Sequence, residues 1–257
     1  MLEQLFSMQN KVCVVTGGSR GLGFYMAKAF LGAGAKRVYI TARKADACQA
    51  AALELQAFGD CVALPGDISS MDEVVALAAT LKEREESIDV LVNNAGRGWL
   101  ESFENFPEMG WDKVMDLNVK SPFFLTRELT PLLANGSTAE STASVINIGS
   151  VAGICGETDT LSYAPSKSAI HQVTRNLSAV LAAQHIRVNA IAPGRFFTAM
   201  TEYVGKEQYE LECASIPLKR WGEEKDIAGL AIMLASTAGG FITGQIIPVD
   251  GGTTVVR

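Results

Sequence analysis

Tyr163 and Lys167 stand four positions apart in the stretch GSVAGICGETDTLSYAPSK, which runs from Gly149 to Lys167. On a helix that spacing puts both side chains on one face, one turn from each other. A free tyrosine, with a pKa of about 10, exchanges protons poorly at neutral pH. An ammonium held beside it favours the phenolate form, and Lys167 supplies that charge. Pro165 lies between the two, and proline is tolerated in a helix's first turn, so Tyr163 is expected at or just before a helix N-terminus, where the dipole favours the same charge. Ser150 closes the apolar run 144–149 (SVINIG), expected as a strand, and presents a hydroxyl from the opposite side. A carbonyl held between the two hydroxyls is the chemistry these three residue types define.

Tyr-x-x-x-Lys pairs are common on helices by chance, so the surrounding elements decide what this one means. Residues 11–16 (KVCVVT) form a short, β-branched apolar run that stops at glycine, as a strand buried on both faces does. Gly17-Gly18-Ser19-Arg20-Gly21-Leu22-Gly23 follows, and then a helical pattern over 24–31. Strand, glycine-rich turn and helix in that order make a pyrophosphate site, because glycines permit close backbone approach and the helix N-terminus offers unpaired N–H groups. The spacing is not that of a P-loop. A second strand, 37–41, ends at Ala42-Arg43. Dinucleotide folds carry near this point an acid for a ribose 2′-hydroxyl or an arginine for a 2′-phosphate. Arg43, with Arg20 in the turn, favours NADP(H) over NAD, since guanidinium matches phosphate geometry.

Beyond these, 44–58 reads as a helix and 61–64 as a strand followed by Asp67-Ile68. Residues 70–84 read as a helix opened by capping chemistry at Ser70, and 88–92 as a strand closed by Asn93-Asn94-Ala95-Gly96. One long helical pattern covers 111–133, with Asn118 amid apolar neighbours and a kink expected near Pro122. After the helix that begins at Tyr163 and runs to about 183 come a strand at 186–191 ended by Pro193-Gly194, a last helix at 223–235 and a seventh strand at 245–249. Residues 195–221 lack a clean period. Their length beyond a strand's C-terminal end makes them a candidate lid, with Phe196, Phe197, Met200, Tyr203 and Leu211 either facing substrate or packing. Alternating strands and helices without a Pro/Gly/Ser-rich linker predict one α/β domain over 1–257: a doubly wound, seven-stranded parallel sheet with helices on both faces and ligands at the strands' C-terminal ends.

Composition agrees with a globular enzyme. Of the 257 residues 48% are hydrophobic and the formal net charge is -6, which argues against a general affinity for nucleic acid or acidic membranes. Residues 1–10 contain an acid and no apolar core of signal-peptide length, and nowhere do eighteen apolar residues follow one another, so a cytoplasmic protein is expected. The five cysteines are odd in number and scattered, and His171 and His185 are isolated. Neither disulfides nor a metal site is expected, and the two histidines read as surface or packing residues.

From end to end the chain resembles a classical short-chain dehydrogenase/reductase. Thr16 to Gly23 matches that family's T-G-x-x-x-G-x-G cofactor turn, Asp67 its adenine-side acid and Asn93 to Gly96 its N-N-A-G element. Asn118, Ser150, Tyr163 and Lys167 match its catalytic tetrad, Pro193-Gly194 its P-G turn and Val249-Asp250-Gly251-Gly252 its C-terminal signature. The resemblance implies a Rossmann fold with NADP(H) bound by Gly17, Ser19, Arg20, Gly21, Leu22, Arg43, Asp67, Ile68, Asn94, Ala95, Gly96, Tyr163, Lys167, Pro193, Gly194, Phe196 and Thr198. It further implies Tyr163 as general acid/base, Ser150 polarising the carbonyl, and Lys167 lowering the tyrosine's pKa and binding the nicotinamide ribose. Asn118 would hold a relay water, and Thr198 would contact the carboxamide. Within the family, the runs 149–154 and 192–196 and the Tyr-Ala-Pro-Ser-Lys motif look most like the NADPH-dependent 3-oxoacyl reductase of rhamnolipid biosynthesis and its relatives. Pro165 stands where a small residue is more usual. The implied partners are a small-molecule ketone or alcohol and further copies of the chain, as a tetramer or dimer formed by the helices around Asn118 and after Tyr163. The alternatives are an alcohol or polyol dehydrogenase using NAD(P), and a non-catalytic nucleotide sensor, against which the intact tetrad argues.

Overall fold

The computed structural model describes residues 1–156, 160–198, 201 and 204–256. After a short helix α1 (Leu2–Leu5), strands and helices alternate: β1 (Val12–Thr16), α2 (Gly21–Gly32), β2 (Arg37–Thr41), α3 (Ala45–Leu55), β3 (Cys61–Ala63), α4 (Met71–Arg84) and β4 (Val90–Asn93). The second half contains α5 (Glu108–Met115), α6 (Ser121–Ala134), β5 (Ala143–Ile148), α7 (Tyr163–Leu181), β6 (Ile186–Pro193), α8 (Lys206–Ser215), α9 (Glu224–Ala235) and β7 (Ile246–Val249). The strands form one parallel sheet in the order β3-β2-β1-β4-β5-β6-β7, the expected doubly wound Rossmann arrangement. Chain direction across the sheet reverses between β1 and β4, so a crevice opens at their C-terminal ends.

Burial explains why these segments are strands. In β1 alternate residues go to opposite layers: Val12 and Val14 pack with α4, α6 and α7, while Cys13 and Val15 pack with α2, α3 and α9. A strand covered on both faces has no polar side, which is why 11–16 reads as a continuous apolar run. Among the described residues no helix is long and apolar enough to cross a membrane.

Several boundaries differ from the sequence reading. The first major helix begins at Gly21 rather than 24, so the second half of the glycine turn is itself helical. Ser70 is at the N-cap of α4 but its side chain makes no capping bond; nearby, the Ser69 hydroxyl instead donates to Asp67 Oδ1 at 2.7 Å. The long helix expected over 111–133 is broken between α5 and α6 by one π-helical turn, Asp116–Lys120, in which the Ser121 N–H reaches back five residues to the Asp116 carbonyl. Pro122 has no N–H to offer the Asn118 carbonyl, the acceptor four residues before it, so the regular ladder fails there. In the aperiodic 195–221 segment the structure places α8. Phe196 and Trp221 are buried, Phe197 and Leu211 are exposed, and Met200 and Tyr203 lie outside the described residues.

Candidate active site

The crevice between β1 and β4 is closed at its base by the Thr16 hydroxyl. It accepts the N–H groups of Asn94 and Ala95, both at 3.0 Å, and donates to the Val92 carbonyl at 3.2 Å. Asn94 answers with its amide, which donates to the Thr16 carbonyl at 2.9 Å and the Gly17 carbonyl at 3.1 Å. The glycine turn and the Asn-Asn-Ala-Gly element are thus one hydrogen-bonded unit. Glycine is required for that contact: Gly17 has φ +65°, and a Cβ on it would lie 2.9 Å from Ala95 Cα. A Cβ on Gly23 would overlap the Asn94 amide nitrogen. The N-terminus of α2 opens on this turn without a side-chain cap, leaving main-chain donors for an anion. These features fit the diphosphate of a dinucleotide.

Farther along the strand ends lie the expected adenosine-side residues. Arg20 and Arg43 are exposed, and Ile68 is buried among the side chains between the sheet and α4. Burial raises the Asp67 pKa, but the hydroxyl and N–H of Ser69 and the charges of Arg43 and Arg97 outweigh it, and the net direction is down. Asp67 is therefore a carboxylate at neutral pH, within the field of two guanidinium groups.

On the other side of the crevice, α7 begins at Tyr163, as the position of Pro165 requires. Lys167 comes one turn later, 4% exposed, with Nζ donating to the Ile148 carbonyl at 2.7 Å and lying 5.4 Å from the Tyr163 ring centroid. Burial alone lowers its pKa to about 8. Gly96 leaves room for this ammonium: a Cβ there would be 3.6 Å from Nζ and 3.2 Å from Asn118 Oδ1. Ser150 follows β5 in an extended conformation, and its Oγ accepts the Ala152 N–H at 3.1 Å, so its own proton can point elsewhere.

Asn118, in the π-helical turn, is fully engaged by its side chain. The amide accepts from the Arg97 N–H and donates to the Arg97 carbonyl, both at 2.9 Å, and donates to Ser166 Oγ at 2.9 Å. Ser166 in turn donates to the Tyr163 carbonyl at 2.6 Å. The side-chain amide of Asn118 therefore joins the 97 segment to the first turn of α7, and any part it takes at a water falls to its main-chain carbonyl. Beneath the site a buried ladder crosses the sheet: Asn93 donates to Thr126 and Asn147, and Asn147 donates to Thr174. It ties α6, β4, β5 and α7 together.

Pro193 ends β6, and a Cβ on Gly194 would lie 2.8 Å from Asp250 Cα, so the P-G turn and the C-terminal Asp-Gly-Gly turn pack backbone to backbone. Thr198 lies over the glycine turn, its Cβ 3.3 Å from the Cβ position of Gly21. Leu22 packs partly into the core, and Phe196 is buried there with its ring where a Gly222 side chain would be. Any contact from Phe196 to a cofactor must come from its main chain. Sequence reasoning gave no separate role to Thr16 or Ser166. The signal was present in Thr16, a polar residue ending an otherwise apolar strand.

A parallel sheet with a glycine cradle at its switch point, and a buried lysine beside a tyrosine across the crevice, defines a dinucleotide-dependent oxidoreductase. The comparisons agree. The enoyl-(acyl carrier protein) reductase family model matches residues 17–254. The rhamnolipids biosynthesis 3-oxoacyl-(acyl-carrier-protein) reductase of Pseudomonas aeruginosa is 49% identical over 98% of this chain and 99% of its own length. A solved Pseudomonas aeruginosa RhlG/NADP active-site complex superposes with a TM-score of 0.95 at 47% identity, covering 98% of this chain and 99% of that one. The 5-keto-D-gluconate 5-reductase of Escherichia coli is 32% identical over 99% of each chain. The protein belongs to the short-chain dehydrogenase/reductase family.

Replacing Thr16 by valine keeps its shape and strands the partly buried Ala95 N–H, while the Asn94 N–H keeps its second acceptor, the Val92 carbonyl at 3.1 Å. Thr16→Val is expected to cost about 2 kcal/mol in denaturant unfolding, from roughly 1–3 kcal/mol for one unsatisfied group, with Thr16→Ser close to native.

Proposed function

We propose that the protein is an NADPH-dependent carbonyl reductase acting on 3-oxoacyl chains or similarly bulky apolar ketones. The observation that carries this reading is the buried Lys167 ammonium beneath the Tyr163 ring. NADPH supplies the hydride when bound. Tyr163 gives its phenolic proton to the carbonyl oxygen as that oxygen becomes an alcohol, and the charge of Lys167 stabilises the phenolate left behind. Ser150 donates a hydrogen bond to the same oxygen; its hydroxyl is polarised by the Ala152 N–H it accepts. The remaining Nζ donors of Lys167 suit a ribose hydroxyl, and the Asn118 main-chain carbonyl, for which Pro122 has no N–H, suits the water through which Tyr163 and Lys167 regain protons.

The glycine turn and the free main-chain donors of α2 hold the diphosphate, Asp67 with Asn94 to Gly96 the adenosine side, and Arg20 and Arg43 the 2′-phosphate. Pro193, Gly194 and Thr198 face the nicotinamide end. The rim of the site supports an apolar substrate. Gly98 abuts the Tyr163 ring, and exposed Leu100 and Phe103 follow it; Ile154 is exposed in the Ser150 turn, and Phe197 and Leu211 in the 195–221 segment. Burying such surface against an acyl chain is worth roughly 25 cal/mol per Å². The 195–221 segment is the lid. Phe197, Tyr209 and Trp221 cluster with ring centroids 5.0–5.5 Å apart, which anchors it at both ends of α8. Exposed Trp111, Phe123 and Val180 on α5, α6 and α7 support assembly as a homo-oligomer.

With a 3-oxoacyl thioester as substrate, Tyr163→Phe is expected to lower kcat about a thousandfold while NADPH binding stays within a few-fold. Undiminished turnover, read from loss of reduced-nicotinamide absorbance, would remove the mechanism; faster oxidation of gluconate-type polyols would favour a polyol dehydrogenase instead. Arg43→Asp is expected to raise the KM for NADPH about tenfold or more and leave that for NADH nearly unchanged, because only NADPH carries the phosphate. Since burial lowers Lys167 to about 8, its charge disappears as pH rises through that value. The kcat/KM for ketone reduction should be level below about pH 8 and fall above it, approaching tenfold per unit, in a pH-rate profile of the free enzyme.

A further inference from the structure

Helix α7 sends three side chains toward the site at successive turns: half-buried Tyr163 at its start, and buried Lys167 and His171 one and two turns on. The proposed proton transfer uses only the first two. His171 is 4% exposed. Its ring fills the space that two glycine side chains would need: a Cβ on Gly149 would overlap Nε2 and lie 2.7 Å from Cδ2, and one on Gly153 would lie 2.8 Å from Cε1. Gly149 and Gly153 bracket Ser150. Gly149 is fixed on the sheet side by its N–H to the Ile191 carbonyl at 2.7 Å. On the other side the Gly153 N–H goes to the Ser150 carbonyl at 3.0 Å, and the imidazole packs against Gly153 through Cε1, while its Nε2 is buried without a hydrogen-bond partner among the described residues. Burial, and then the charges of Lys167 and Arg175, hold His171 at about 4, so at neutral pH the ring is uncharged with one donor and one acceptor.

We propose that His171 is a positioning residue for Ser150, a neutral wedge between Gly149 and Gly153 that sets the serine hydroxyl from the same helix that carries Tyr163 and Lys167. The physical reason is geometric. The carbonyl oxygen must meet two hydroxyls at hydrogen-bond distance, one on α7 and one on the turn after β5. A rigid contact between that turn and α7 keeps the separation constant, and misplacement by about 1 Å can cost on the order of a hundredfold in rate. Ser168 Oγ, donating to the Gly153 carbonyl at 3.0 Å, is a second tie from α7, but it is exposed and holds only one side of the serine. The proposal rests on the reductase reading for its kinetic consequence and on the packing alone for its structural one.

The test pairs two measurements on His171→Ala, His171→Asn and His171→Leu in the full-length protein. Amide hydrogen exchange needs no substrate: in the alanine variant the 149–155 peptide should exchange at least about tenfold faster, while the body of α7 keeps native protection. Unchanged exchange in 149–155 would overturn the proposal whether or not the enzyme turns over the chosen ketone. With a 3-oxoacyl thioester and NADPH, kcat should fall between about tenfold and a hundredfold, with the NADPH Kd within twofold of native. The isotope effect with cofactor deuterated at the transferred position should rise toward its intrinsic value, a change that a smaller active fraction would not produce. His171→Leu, which keeps the bulk between Gly149 and Gly153, should recover most of the rate. If alanine does not fold, His171→Asn, which is smaller than the imidazole and underfills the wedge, carries the same expectations as alanine. An alanine or asparagine variant with kcat within twofold of native would overturn the proposal, and absence of turnover in the native protein would instead count against the reductase reading.

Discussion

One buried charge governs the arrangement of this site. Among the described residues Lys167 has no carboxylate partner; burial lowers its pKa, and its ammonium donates to a main-chain carbonyl, that of Ile148. Moving an ammonium out of water costs several kcal/mol even after relaxation. The fold carries that cost where a tyrosine ring lies 5.4 Å away. Among the described residues no carboxylate neutralises its field, which on the proposed reading acts on the phenol. An acid in place of Gly96 or Ile148 would make the lysine easier to bury and less useful.

The surroundings follow from that constraint. A lysine held by a single carbonyl at the end of β5 stays in place only if β5 and α7 keep their relation, and the ladder from Thr126 through Asn93 and Asn147 to Thr174 spans that junction. Each member is polar and buried, which is costly unless partners are supplied; here they supply one another except at Asn93 Oδ1, which is buried without a partner among the described residues. The Asn118 clasp does the same at the surface end. It bonds both main-chain groups of Arg97 and, through Ser166, the first carbonyl of α7, so the β4 loop and the Tyr163 turn cannot separate independently.

The sequence revealed the periodic parts of this molecule and concealed the parts made by long-range contact. Strands covered on both faces are apolar throughout, so β1, β4 and β5 were recognisable within a residue or two, and the motifs at their ends were placed with them. Helix α8 was not, because its exposed, mixed-polarity faces carry no clear period and only Cys213 is buried. The π-helical turn was visible only as a kink at Pro122, since the five-residue hydrogen bond depends on how α5 and α6 dock. The hydroxyl of Thr16 and the imidazole of His171 make their contacts 78 and 22 residues away in sequence, to Asn94 and Gly149. No local pattern records such a distance. In the sequence Gly149 is only the end of the apolar run 144–149 and Gly153 has no part of its own, whereas their missing side chains are space that a histidine fills.

Chemistry and substrate choice are consequently built on different kinds of element. Tyr163, Ser166, Lys167 and His171 share one face of one helix, and the helical repeat fixes their spacing to within the play of a side chain. Substitutions in loops cannot alter that spacing without breaking α7 itself. The apolar rim of the proposed substrate site sits on segments of the other kind: Leu100 and Phe103 on the connection between β4 and α5, and Leu211 in the 195–221 segment, all exposed and none required by the sheet. Such positions can change with little loss of stability. On the proposed reading, a chain built this way can take a new acyl group by exchanging rim residues while its proton-transfer geometry stays fixed. This explains in physical terms why one fold accommodates a 3-oxoacyl reductase and, at 32% identity, a keto-gluconate reductase.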